Sequence, residues 1–475
     1  MILARKKMNF TEGPLFWPML KYAIPIILTA LLSVLYNTAD KVIVGQFSGD
    51  DNAIGAIAST SFVFNLYANF LIGVGGGVGV LTAQLFGAKK TNKLGRAVNN
   101  AMFLAASMAL VMFVIANLTC EPILKMLGTK AAYYDGGVLY LRIIFVGLFA
   151  SSIYNVGAGV LRSVGDSNTP LYIAMISGII NVVLNMFFVA VCGMSVDGVA
   201  IATVISQYYS AASVVITLLK RKSEPYHLTF KGFCIDKELV GRMLYLGIPT
   251  GFQSALFSLT NLITTSAVNT FPDSYVTARG IGLDIDHLIN PFITGLYTAT
   301  MTATGQNYGK GDFKRVRKVF IYGMIQSLVS VLIISMSALI FREQIAALFI
   351  SSEHEQFEEI VYLASEWSRV MLSLYFTNGL LHGVSGAVKG MGYSISSLIA
   401  NIIATCGVRL AWVFFVFPYP PFNTFTGLAL MYPVSWGALA IALGVVCIFA
   451  FAKLHRDEKA KAAAENDAEI SAVVK

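Results

Sequence analysis

Apolar residues in this chain come in long unbroken runs, of which 179–192 and 327–341 are examples. A membrane barrel strand would alternate apolar and polar positions, and these runs do not. A bilayer core of about 30 Å takes roughly 20 apolar residues of helix per crossing. Inside lipid the backbone must satisfy its own hydrogen bonds, so the runs are read as helices. Charge and turn signals divide the pattern into twelve spans, with cores at 24–46, 54–83, 97–119, 136–160, 170–192, 197–219, 243–270, 276–305, 319–341, 361–387, 394–417 and 427–452. The predicted fold class is therefore an all-α membrane protein.

Composition agrees. Of the 475 residues 56% are hydrophobic and 13% charged, against about 25% charged in an ordinary soluble domain, so too few polar side chains exist to coat a water-facing globule. The net charge of +8 does not point to nucleic acid, because the basic residues sit in short clusters between apolar runs. Most of them fall on one side of the membrane if the N-terminus is inside: Lys89, Lys90, Lys93 and Arg96, then Lys220, Arg221 and Lys222, then Lys310, Lys314, Arg315, Arg317 and Lys318. That asymmetry predicts a multi-pass protein of the plasma (cell inner) membrane with both termini cytoplasmic. The longest inner connection, 220–242, is the natural linker between an N-terminal lobe (1–219) and a C-terminal lobe (243–455); the tail 456–475 is expected to be a frayed helix or disordered.

The two halves repeat each other. The loop "AQLFGAKKTNKLGR" at 83–96 resembles "GQNYGKGDFKRVRK" at 305–318, and 140–165 resembles 366–392. The second match aligns Arg142 with Arg369, Asn155 with His382 and Arg162 with Lys389. Polar residues inside a membrane are costly, so their recurrence at one depth carries more than shared leucines would. Six spans per repeat, an even number, relates the two six-helix bundles by a pseudo-two-fold axis along the membrane normal. Repeats of this kind commonly place a substrate site in the cleft between halves and work by rocking them. A channel or a structural membrane protein is the other class the pattern allows.

At these residues the chain resembles the multidrug and toxic compound extrusion (MATE) family. The marks are "PIILTALLSVLYNTADKVIVGQF" in the first span, the "AQLFGA" and "GQNYG" loops, "LRSVGDSNTPLY" leading into "INVVLN", then "GVAIATVISQ" and "CGVRLAWVF", in order across residues 14–455. The resemblance implies a monomeric secondary antiporter in the lipid bilayer, with two bundles around a central cavity. It would export amphipathic organic cations, such as drugs and dyes, in exchange for sodium ions or protons. The alternative within the same superfamily is a flippase for lipid-linked saccharides.

The polar residues within spans are the candidates for the mechanism. Asp40 lies deep in the first span, where a carboxylate costs about 2.5–3.5 kcal/mol; it either takes the coupling ion or proton or serves as structural glue. Asn37, one turn earlier, shares its face. Asn181 and Asn185 share a face of the fifth span. The resemblance makes Asp40, Asn181, Asn185 and Thr203 a cation site, although Asn185 stands where a common family pattern has Asp, leaving one negative charge. The plainer reading of the asparagines is interhelical hydrogen bonding. Gln253 and Asn261 in the seventh span, Asp286 in the eighth and Asn37 are the candidate substrate contacts. Arg409 and the Glu366–Arg369 pair are read as structural contacts.

No ATP motif GxxxxGK[ST] occurs, and "GVGGGVG" at 73–79 sits within a span, where close helix packing explains it. The five cysteines form no CxxC pair and the five histidines no HExxH cluster. The sequence thus predicts no cofactor, no catalytic residues and no enzyme; the driving force is a gradient.

Overall fold

The computed structural model describes residues 7–49, 52–231 and 233–473; within helices the side chains of some residues, Asn261 among them, are outside the description. The described chain is helical, with no strand. The first six spans are α1 (Phe16–Phe47), α2 (Ala53–Gly87), α3 (Thr91–Met126), α4 (Ala131–Ser163), α5 (Asn168–Asn185, continued as a π-helix Met186–Val191) and α6 (Val196–Lys220). The second six begin with α7 (Lys237–Val268), α8 (Asp273–Lys310) and α9 (Phe313–Ile340), which the short α10 (Arg342–Ala347) follows. The tenth span is broken into α11 (Phe357–Ser373) and α12 (Phe376–Gly390). The eleventh alternates α13 (Ser394–Asn401), a π-turn Ile402–Gly407, α14 (Val408–Ala411) and a π-turn Trp412–Val416; the last is α15 (Phe425–Val473). Twelve crossings in two lobes result, as the sequence predicts, but the helices overrun the predicted cores, and the tail past 456 continues α15.

Sequence chemistry explains the ends. Asp236 and Asp312 cap α7 and α9 by accepting from the amides of Leu239 and Arg315 at 3.2 and 3.1 Å, the usual use of Asp before a first turn. Gly311, at φ +78°, ends α8 in the left-handed region. Apolar side chains such as Phe414, Phe415, Ile441 and Phe449 stay exposed, which suits a lipid-facing surface. Among the described residues nine helices are long and apolar enough to cross a membrane.

The lobes meet mainly along α2 against α7 and α1 and α2 against α8. The glycine run is that contact. A methyl group on Gly73 would collide with the backbone of Gly251, and one on Gly77 with the backbone of Gly247. Small residues that let helix backbones approach this closely are the common packing device in membranes. At the ends of α2 and α8, Gly87 abuts the Gln306 backbone and Gly309 abuts that of Gln84, and Gln84 Nε2 donates to Gly390 O at 3.0 Å.

These last contacts lie at the end of the bundle where the basic loops gather, and the N-terminal segment seals it. Met8 N donates to Gly165 O of the first lobe at 3.1 Å. Phe10, fully buried, donates to Gln306 Oε1 at 3.0 Å and accepts from Asn307 and Arg315 at 3.1 and 2.8 Å. Lys310 Nζ donates to Thr11 O at 2.8 Å. Nearby, Arg221 bonds Asp166 at 2.6 Å. Burial works against the Arg221 charge, but Asp166 outweighs it, and the net effect raises the guanidinium above its ordinary value.

Candidate functional site

Two polar regions stand out. The first lies within the N-terminal lobe, between α1, α5 and α6. Its residues come from a turn where α5 passes into a π-helix, so Asn181 and Asn185 face α1 and α6 at the end of the regular α-helix. Asn185 Nδ2 donates to Asp40 Oδ1 at 2.5 Å and lies 3.4 Å from Asn181 Oδ1, and Asn181 Nδ2 donates to Thr203 Oγ1 at 3.3 Å. Asn185 is fully buried, and its Oδ1 has no hydrogen-bond partner among the described residues. The four residues that the resemblance joins as a cation site are therefore one connected chain of oxygens and amides. Every potential ligand atom in it is oxygen, which suits a hard cation rather than a soft metal. No group of three His, Cys, Asp or Glu side chains with metal-ligand geometry occurs among the described residues.

The second region is a central cavity of about 720 Å³ between the lobes. Its walls are α2, α4, α7, α8, α12 and the faces of α14 and α15. Gln253 and Asp286, two of the sequence candidates, line it. Gln253 is buried and accepts from Ser397 at 3.5 Å. Asp286 accepts from Tyr375 OH at 2.5 Å and stands within the field of His287 and Arg409. Asp286 lies well inside α8, which begins at Asp273. Asn37 is elsewhere, exposed on α1 and absent from the cavity walls. The Asn261 side chain lies outside the described residues.

Arg409 is buried, donates to Ser435 Oγ at 3.1 Å and Thr260 Oγ1 at 3.3 Å, and stacks 4.6 Å from the Tyr432 ring centroid. Glu366 and Arg369 pair at 2.7 Å on an exposed helix face. Sequence reasoning did not assign Arg162, Asn155, His382 and Lys389 to a site, yet all four line the cavity. The signal was present, since these are the pairs that the internal repeat superposes.

The MatE family model matches residues 25–187 and 249–415, one stretch in each lobe. The chain belongs to the MatE family. As a MATE protein it is a membrane transporter and not an enzyme. Its relatives include the probable multidrug resistance protein YoeA of Bacillus subtilis (strain 168), 26% identical over 406 residues, covering 84% of this chain and 86% of the relative. YpnP of the same organism, also a probable multidrug resistance protein, is 26% identical over 446 residues, covering 94% and 95%. A solved MATE structure in complex with MaL6 superposes with a TM-score of 0.87 at 20% identity, over 95% of this chain and all of that one. The MATE fold of two six-span lobes is thus the fold of this chain, and multidrug efflux is the family's business.

Proposed function

We propose that this protein is a cation-coupled antiporter that exports amphipathic small molecules through the central cavity, with Asp40 as the coupling group. The observation that carries the coupling reading is the Asp40–Asn185–Asn181–Thr203 chain. A lone carboxylate whose recorded partner is an amide, not a cation, retains an uncompensated charge when ionised. A carboxylate in a low-dielectric setting stays charged only with a compensating partner and otherwise takes a proton. Asn185 Oδ1 is buried without a hydrogen-bond partner among the described residues, on a side chain whose Nδ2 already touches Asp40 and Asn181. Asp40, Asn181, Asn185 and Thr203 would hold a sodium ion through oxygen atoms. A half-turn of the Asn185 amide, whose O and N ends are interchangeable in placement, would instead let it accept from a protonated Asp40. With the Asn185 oxygen turned toward Asp40, the same residues would meet either ion.

Membrane energetics set what such coupling can do. One charge crossing 100 mV is worth about 2.3 kcal/mol, and a tenfold gradient about 1.4 kcal/mol. One-for-one exchange of monovalent cations cancels the voltage term and gives about tenfold accumulation for a tenfold ion gradient. Stronger extrusion needs more ions, or a neutral or anionic substrate.

The lobe contacts at the basic end and the cavity walls beyond them support a cavity closed on the basic side. We place that side, with both termini, in the cytoplasm on the positive-inside rule, in a monomer working by rocking of the two lobes. The organic cations that the resemblance implies would find Asp286 as their carboxylate, the only one among the described lining residues, and it is already held by Tyr375. A lipid-linked saccharide flippase is the second reading, favoured by the basic residues of the cavity.

Purified protein in liposomes tests the first reading. A sodium or proton gradient, imposed separately, is expected to drive dye movement by wild type, and Asp40→Asn is expected to abolish it. Undiminished gradient-driven transport by Asp40→Asn would remove Asp40 from the mechanism. Rescue of a flippase-depleted strain, with no dye transport, would favour the flippase.

A further inference from the structure

The antiporter reading leaves open the charge of what the cavity takes. The fixed charges along its walls are Arg162, Lys389 and Arg409 against Asp286. Arg409 is bound to Ser435, Thr260 and the Tyr432 face and shares its field with Asp286. That leaves Arg162 of α4 and Lys389 of α12. Each stands one residue from the end of its helix, at the basic end of the bundle, where the lobes are in contact. They are the same position in the two repeats.

Lys389 is only 7% exposed. Its ammonium lies 5.7 Å from the Tyr297 ring centroid, and no carboxylate lies within ion-pair distance of it among the described residues. Arg162 likewise makes no ion pair among the described residues, and its Nε is buried without a partner. The acids nearest the basic end are already engaged, Asp166 by Arg221 and Glu224 by Lys7. His382, at the position that the repeat equates with Asn155, also lines the cavity and has a buried Nδ1 without a partner. A buried cation without a counter-charge is costly in a membrane and marks a place where one is expected to arrive. Around this floor the walls supply rings and aliphatic groups, Tyr297, Met301 and Leu381 among them.

We propose that the cavity floor is an anion site, formed by Arg162 from one lobe and Lys389 from the other, and that the exported molecule is an amphipathic organic anion carrying a carboxylate or phosphate group. Arg supplies the planar fork and Lys the point charge that such groups accept. Because one cation comes from each lobe, the anion bridges the lobes while they are in contact at the basic end. The inference rests on the export reading for the direction of transport, but not for the sign of the ligand.

The test is equilibrium binding to purified full-length protein, which needs no gradient. Two xanthene dyes of one ring system serve as probes, a carboxylate-bearing fluorescein and an esterified cationic rhodamine. Wild type is expected to bind the anionic dye at least about tenfold tighter. Lys389→Gln and Arg162→Gln, made separately, are each expected to weaken it roughly tenfold to a hundredfold, the range for losing a charged hydrogen-bonding partner, and Lys389→Arg is expected to restore it. Tighter binding of the cationic dye by wild type, or anion binding unchanged in both Gln variants, would overturn the proposal. The wild-type dye comparison decides the sign even if a variant fails to fold. Displacement of the fluorescein by vesicles containing an anionic lipid, and not by vesicles of zwitterionic lipid alone, would support the anion site with a lipid headgroup as the source; displacement by neither supports a soluble substrate. Anion binding without gradient-driven dye transport would retain the site and reject the antiporter.

Discussion

The same junction is built with opposite charge in the two lobes. In each, the fifth of six spans changes between α- and π-helix, at Met186 in one and at Gly407, the end of a π-turn, in the other. In each, a polar residue at or just beyond that change meets the lobe's first span: Asn185 meets Asp40, and Arg409 meets Thr260. The N-terminal junction is thus an acid with amide and hydroxyl neighbours and, among the described residues, no cation bonded to it. The C-terminal junction is a guanidinium already satisfied by Ser435, Thr260 and the Tyr432 ring, with Asp286 in its field. A duplicated framework has become one junction built on an acid, where we propose that the coupling ion binds, and one built on a guanidinium. The asymmetry makes sense of a transporter in which the ion and the cargo need not share a pocket.

That contrast can be broken at several points. The largest effect is expected from Arg409→Leu. It strips the buried guanidinium from Ser435, Thr260 and the Tyr432 ring, and each hydrogen bond to a charged group is worth about 1.5–3 kcal/mol. Thermal unfolding in detergent should show a large loss of stability, whereas Asp40→Asn, whose described partner is the neutral Asn185 amide, should leave the melting temperature nearly unchanged. Next comes Gly87→Val. The added side chain meets the Gln306 backbone, and overpacking of this kind costs about 1–3 kcal/mol. The outcome to look for is a thiol introduced at Thr298 becoming reactive from the basic side of the membrane, where wild type is closed.

Smaller effects probe the acid junction itself. Asn185→Asp places a second carboxylate beside Asp40. Like charges that share a site raise the demand for a counter-ion, and roughly tenfold tighter cation binding is expected, about 1.4 kcal/mol, read as the cation dependence of the melting temperature. Thr203→Val removes only the hydroxyl that accepts from Asn181. An interhelical hydrogen bond in a membrane averages about 0.6 kcal/mol, so a two- to threefold loss of cation affinity is expected in the same titration.

Much of the architecture was legible in the sequence because lipid leaves few choices. Apolar runs gave the spans, the Lys and Arg clusters marked one end, and recurrence of whole motifs gave the two lobes. The acid junction was also legible: Asp40 is conspicuous at mid-span, and Asn181 and Asn185 fall on one helical face by spacing alone. What spacing does not give is contact between distant helices. Asn37 shares the face of Asp40 by periodicity yet ends exposed, because helix packing and not periodicity decides which part of a face is covered. The seal at the basic end was hidden for the same reason. Phe10 looks like an unremarkable residue in a polar leader, and its buried bonds to Gln306, Asn307 and Arg315 join positions that nothing local connects. Lys389 and Arg162 were visible as a repeated pair, but whether a membrane cation is paired or bare depends on every neighbouring helix. The break between Ser373 and Phe376 in the tenth span leaves no strong sequence mark, having neither proline nor glycine.

The central claim is that the coupling ion belongs to the N-terminal junction and not to the carboxylate of the cavity. Direct counting of bound cation on purified protein, with radioactive sodium and with proton release run separately, tests it in three proteins: wild type, Asp40→Asn and Asp286→Asn. The expected result is one saturable site for one of the two ions in wild type, the same site in Asp286→Asn, and none in Asp40→Asn. A site that survives Asp40→Asn and disappears with Asp286→Asn would contradict the account.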